Sequence, residues 1–109
     1  MDDLEFVQRC VSSDKPAWDE FVERYSRLIY NYIHSVFRIK GINLSHQDNI
    51  NDIFQSILLS LVKDNFKKLK SFRGKNGCTL ASWLRQVTIN FTLDYLRSLK
   101  TDISLDEES

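Results

Sequence analysis

Residues 18–37 read WDEFVERYSRLIYNYIHSVF. Their apolar members, Trp18, Phe21, Val22, Tyr25, Leu28, Ile29, Tyr32, Ile33, Val36 and Phe37, recur at spacings of three and four. That period lines one wide stripe of a helix, whereas a half-buried strand needs strict alternation. The result is a long helix with a wide apolar stripe. Its ends are also written in the sequence. Asp14 offers an N-cap carboxylate and Pro16 falls near N1, where a missing N–H costs nothing. Asp19, Glu20 and Glu23 lie in or beside the first turn, where the macrodipole favours acids, and Gly41 supplies a stop.

Working outward, Leu4, Phe6, Val7 and Val11 predict a short first helix ended by Ser12-Ser13-Asp14. Downstream, Ser45 followed three residues later by Asp48 is a variant of the capping box. A third helix is expected over about residues 46–63, with Ile50, Ile53, Phe54, Ile57, Leu58, Leu61 and Val62 on its apolar face. Residues 65–79 read as a short helical turn and a loop, with Leu69 and Phe72 as apolar anchors and Gly74 and Gly77 as breakers. Thr79 is placed to cap a fourth helix carrying Leu80, Trp83, Leu84, Val87, Phe91, Tyr95, Leu96 and Leu99. No segment has strand periodicity. The expected fold is all-α, a compact bundle of about four helices with a basic loop between the last two. It spans residues 1–100, with residues 101–109 as an acidic linker or disordered tail.

The 109 residues suit one domain, and a chain of this size buries roughly two-thirds of its unfolded surface. Charge is polarised beneath a net of zero. Between residues 65 and 100, Lys67, Lys68, Lys70, Arg73, Lys75, Arg85, Arg97 and Lys100 are opposed only by Asp94. Residues 1–64 carry ten acids against seven bases, and Asp102, Asp106, Glu107 and Glu108 end the chain. Such a chain offers a polyanion-seeking patch and a separate acidic surface, hence two partners of different character. No apolar run approaches a membrane span, and the acidic Met1-Asp2-Asp3-Leu4-Glu5 is unlike a basic signal sequence, so a cytoplasmic location without membrane insertion is expected. Cys10 and Cys78, far apart and outside any Cys/His cluster, read as reduced thiols.

Two constellations stand out. On the third helix Asp48, Asn51, Asp52, Gln55, Ser56 and Leu59 share one face, since residues three and four apart are neighbours on a helix. A solvated flank would give most of that row, but Leu59 continuing it suits a protein contact. The second is the basic stretch. Lys70, Phe72, Arg73, Lys75, Asn76 and Thr79 mix cations, an aromatic and flexible backbone, the mixture that holds single-stranded nucleic acid. Gln86, Asn90 and Arg97 then form one polar row on the fourth helix, able to meet base edges and phosphates. Trp83, on the Leu80-Leu84-Val87 stripe, is expected in the core; Phe72 divides between core and base stacking. His34 and His46 are isolated, and no phosphate-binding glycine fingerprint occurs. The chain therefore reads as a binding module, with no catalytic or metal site and no cofactor.

The succession of these motifs resembles the second conserved region of bacterial RNA polymerase sigma factors, of the extracytoplasmic-function type. Ala17-Trp18 with Phe21, Tyr25, Leu28 and Ile29 is similar to the family's opening helix, and Asp52-Ile53-Phe54-Gln55 to its Asp-x-x-Gln core-binding motif. Leu69 and Phe72, then Thr79-Leu80-Ala81-Ser82-Trp83-Leu84, then Asn90, Asp94 and Arg97 resemble its promoter-melting and promoter-reading segment; Ser56 stands where many relatives carry Glu.

The resemblance implies that Asp48, Asn51, Asp52, Gln55, Ser56 and Leu59 dock on the β′ subunit of core RNA polymerase. It implies that the loop of residues 72–79 captures a flipped non-template base of the promoter minus-ten element. Gln86 and Asn90 contact the same single strand, with Arg97 and the loop lysines on phosphates and Asp94 bridging Arg97 or a neighbouring base-contacting group. Two other function classes are left open: a sigma-like adaptor, or the target of an anti-sigma factor, without promoter binding, and an unrelated helical nucleic-acid binder that does not need polymerase.

Overall fold

The computed structural model describes residues 2–12, 14–42 and 47–108, with side chains described for the same residues apart from 47 and 99–108. Four α-helices follow one another: α1 Asp3–Val11, α2 Lys15–Ile39, α3 Gln47–Lys70 and α4 Leu80–Glu108, with a 3-10 turn at Lys75–Gly77 between the last two. The all-α bundle predicted from periodicity is therefore the observed one. Within it α2 is the central element, packed on α1, α3 and α4.

The helix ends show how the sequence enforces these bounds. Asp14 accepts a hydrogen bond from the Ala17 N–H at 3.2 Å, and Asp2 does the same for Glu5 at 2.8 Å in α1. At the far end of α2, Gly41 adopts φ +72°, where a side chain would be strained. This left-handed residue lets the Ile42 N–H reach the Phe37 carbonyl at 2.8 Å and the Gly41 N–H reach Arg38 at 3.1 Å, a Schellman stop. Ile42 then packs beside Phe37 in the core. α1 ends at Val11, where the Ser12 N–H reaches the Arg9 carbonyl at 3.3 Å, while Ser13 and the Ser45 cap expected for α3 lie outside the described residues.

The core has two lobes. Phe6, Val7 and Cys10 of α1 meet Ala17, Phe21 and Tyr25 of α2 together with Leu61, Leu69, Phe72, Leu80 and Leu84. Ile29, Ile33 and Phe37 meet Ile50, Ile53, Phe54 and Ile57, flanked by Phe91, Tyr95 and Leu96. Leu28 and Leu58 touch both lobes and join them. Thr88 and Thr92 are fully buried in this apolar setting; the Thr92 hydroxyl donates to the Thr88 carbonyl at 2.7 Å, while the Thr88 hydroxyl has no partner.

Two features depart from the sequence reading. The expected end of the third helix is a bend: Lys63 is extended and Asp64, Asn65 and Phe66 take positive φ of 55°, 58° and 63°, after which helical geometry resumes to Lys70. Left-handed backbone is costly for a bulky side chain such as Phe66. The offsetting contact is its ring, edge-on to Trp18 at 5.9 Å between centroids. The second departure is the linker or tail expected over residues 101–109. Backbone helix instead continues through α4 to Glu108. Nothing between Leu80 and Glu108 is glycine or proline, so no residue there breaks the ladder of hydrogen bonds.

Candidate protein-docking and nucleic-acid interfaces

The six residues predicted as a docking row do lie together on α3 ahead of its bend. Asp48, Asn51, Asp52 and Gln55 are exposed, Ser56 is half-buried, and Leu59 stands 65% exposed, too open for a residue packing in the core. The row is gripped from both sides. The Tyr30 hydroxyl of α2 donates to the Asn51 side-chain oxygen at 3.0 Å, and the Tyr95 hydroxyl of α4 reaches Asp52 Oδ2 at 3.4 Å. Tyr30 is itself fixed by stacking on Phe54 at 4.2 Å. Desolvation, with the Asp52 carboxylate beside it, pushes the Tyr95 phenol above its ordinary range, so the hydroxyl stays a donor. Neither tyrosine was singled out from sequence as a site residue, because Tyr95 sits on the apolar stripe of the fourth helix, Tyr30 reads as a core or boundary residue of the second, and only the tertiary fold brings their hydroxyls to α3.

The basic loop is anchored at both ends. Phe72 is 1% exposed and its ring meets Trp83 edge-on at 5.7 Å, and Leu80 is fully buried. This corrects Phe72 as a base-stacking candidate: the ring is spent in the core, and its role is to hold the loop. Gly74, at φ +66°, turns the chain directly over that ring, where a Cβ would sit 3.6 Å from it. Lys70, Arg73, Lys75, Asn76 and Thr79 are exposed. Arg73 folds back to donate to the carbonyls of Lys70 and Phe72. Thr79 is the predicted cap, accepting from the Ser82 N–H at 3.1 Å. Lys67, Lys70, Ser71 and Arg73 together line a shallow basic depression with Asp64 and Asn65 at the bend.

On α4, Gln86 and Asn90 are exposed and joined, the Gln86 amide donating to Asn90 Oδ1 at 3.0 Å. They rim a cleft of about 360 Å³ between α3 and α4, also lined by Ser60, Lys68, Trp83 and Asp94. Trp83, expected in the core, is half-buried: one side packs on Phe72 and the indole also forms a wall of this cleft. Arg97 lies two turns beyond Asn90 and pairs with Asp94 at 3.3 Å, an exposed bridge as the sequence suggested. Of the candidates on the fourth helix, the structure thus gathers Gln86 and Asn90 into one concavity and sets Arg97 farther along. Ser60 was missed, because α3 residues beyond the docking row meet α4 only through tertiary packing.

An exposed mixed row on one helix and an aromatic-walled cleft with a lysine and an aspartate beside the next are the two candidate surfaces of this helical module. Comparison with family models is specific: the model for sigma-70 region 2 matches residues 21–101. The chain belongs to the sigma-70 region 2 family, whose domains take part in RNA polymerase binding and promoter recognition and are transcription-factor rather than catalytic domains. Searches of curated proteins and of solved structures return no match. Among the described residues no helix is long and apolar enough to cross a membrane.

Proposed function

We propose that the chain acts in the cytoplasm as region 2 of an extracytoplasmic-function sigma factor, docking on polymerase and opening the promoter minus-ten element. In this reading Asp48, Asn51, Asp52, Gln55, Ser56 and Leu59 meet the β′ clamp helices. A non-template base leaves the stack and enters the cleft beside Trp83, where Gln86 and Asn90 present amide donors and acceptors to its edge. Lys70, Arg73, Lys75 and Arg97 take phosphates on either side, and Asn76 and Thr79 lie along the path of the strand. Residues 101–109 serve as the acidic linker.

The observation that carries this is the cleft of about 360 Å³, with Trp83 on one wall, Gln86 and Asn90 at its rim, and Lys68 and Asp94 also lining it. Extruding a base costs a few kcal/mol, so a protein that holds the extruded base shifts duplex toward separated strands. Polymerase, not this domain, then makes RNA. The test is permanganate probing of thymines in a minus-ten duplex with core polymerase from the source organism, the chain, or both. Reactivity only when both are present supports the proposal; polymerase binding with no strand opening would favour the adaptor or anti-sigma-bound module instead.

A further inference from the structure

We propose that α1, which lies ahead of the family-matched residues, is a clasp on the nucleic-acid loop, with Asp3 as its positioning residue. Asp3 Oδ2 accepts a hydrogen bond from the Leu80 N–H at 2.8 Å, across 77 residues of chain. Leu80 opens α4, immediately after the loop. The cap residue Thr79 uses its hydroxyl on the Ser82 N–H, so it leaves the Leu80 N–H to another acceptor, and Leu80 is fully buried. An unpaired backbone donor at that place would be costly. Asp3 supplies the missing acceptor, and its charge complements the positive end of the helix.

Asp3 is itself firmly placed. α1 carries its own cap through Asp2, and it enters the core by Phe6, Val7 and Cys10. The Arg24 guanidinium lies over the Phe6 ring at 5.2 Å. The same core lobe contains Phe72 and Leu80, the two residues that bracket the loop. Residues 73–79 therefore run between anchors on a platform that α1 completes, and the Asp3 bond fixes the downstream anchor. The consequence is that α1 sets the position of Arg73 and Lys75 relative to Trp83, Gln86 and Asn90 without touching nucleic acid itself.

This inference rests on the nucleic-acid reading above, and the test separates the two. Asp3→Asn keeps an acceptor oxygen for the Leu80 N–H, whereas Asp3→Ala removes it; both delete the same charge, so any change in the field felt by DNA cancels between them. Affinity for a labelled single-stranded oligonucleotide of mixed sequence is measured for the unaltered chain and both variants, with amide exchange at Leu80 and binding to a β′ clamp-helix fragment alongside. Asp3→Ala is expected to bind the strand about three- to ten-fold more weakly than Asp3→Asn, the range a single hydrogen bond supports. Leu80 exchange should be faster in Asp3→Ala and restored in Asp3→Asn, with β′ binding equal in all three. Equal strand binding by the two variants overturns the clasp, as does a parallel loss of β′ binding, which would mean general loosening. If the unaltered chain holds no oligonucleotide, the nucleic-acid reading falls and takes the positioning role with it.

Discussion

Replacing Phe72 by leucine separates a structural ring from a base-stacking one. Phe72 is 1% exposed, edge-on to Trp83 at 5.7 Å, and belongs to the lobe that also holds Leu69, Leu80 and Leu84. Truncation to alanine at such a site costs about 3–5 kcal/mol, enough to threaten the fold of a small domain. Leucine keeps most of the apolar volume. It forfeits the aromatic pair, about 0.5–1.5 kcal/mol, together with a modest packing mismatch, for a total of about 1–2 kcal/mol. Urea unfolding should therefore show a lower midpoint with an unchanged slope. Fluorescence anisotropy with a single-stranded oligonucleotide, under conditions where both chains are folded, should show unchanged affinity. A stacked aromatic is worth about 1–3 kcal/mol per base, so a ring that contacts DNA would instead lose roughly 5- to 150-fold in affinity. A large affinity loss with unchanged stability refutes the core placement of Phe72.

Further outcomes follow from individual side chains. Thr88→Val replaces a fully buried hydroxyl that has no partner with a methyl of the same shape, so stability should rise by about 1 kcal/mol in urea melts; a fall would reveal a bond the hydroxyl makes. Lys75→Ala should reduce the slope of log affinity against log salt for single strands by about 0.7, and an unchanged slope removes Lys75 from the phosphate contacts. Burial pushes the Cys10 thiol up to about 11 from an ordinary 9.0, the nearby Arg9 opposing it. Because the folded chain holds that proton more tightly, the thiol's contribution is intact below pH 9 and is lost as pH rises toward 11. The urea midpoint should decline over that window more in the native chain than in Cys10→Ala, and parallel declines would contradict this.

Helical periodicity made most of the fold legible. The stripe from Trp18 to Phe37 requires a long helix, and the caps at Asp14 and Thr79 and the stop at Gly41 are local chemistry that a sequence carries openly. What could not be read were features set by distant partners. The bend at residues 63–66 puts three non-glycine residues in left-handed backbone, and only the packing of Phe66 on Trp18 accounts for it. Phe72 was ambiguous because an aromatic in a basic loop has two plausible environments, and the position of α4 decided which. Trp83 was assigned to the core by its spacing, yet it is only half-buried and forms a wall of the cleft between α3 and α4. The Asp3 bond to Leu80 joins residues 77 apart in the chain and has no sequence period at all. The docking row on α3 was visible because its residues are neighbours within one helix, whereas the tyrosines that grip it come from α2 and α4.

The central claim is that two separable surfaces of one helical domain serve polymerase and promoter strand. It is tested most directly by measuring both affinities, for a β′ clamp-helix fragment and for a single-stranded minus-ten oligonucleotide, in Asp52→Arg and in Asn90→Ala. Both positions are exposed, and the hydrogen bonds at stake are those of Tyr95 to Asp52 and of Gln86 to Asn90. Asp52→Arg is expected to lose the fragment and keep the strand, while Asn90→Ala weakens the strand and keeps the fragment. If either variant loses both partners, or neither variant loses any, the two-surface account is wrong.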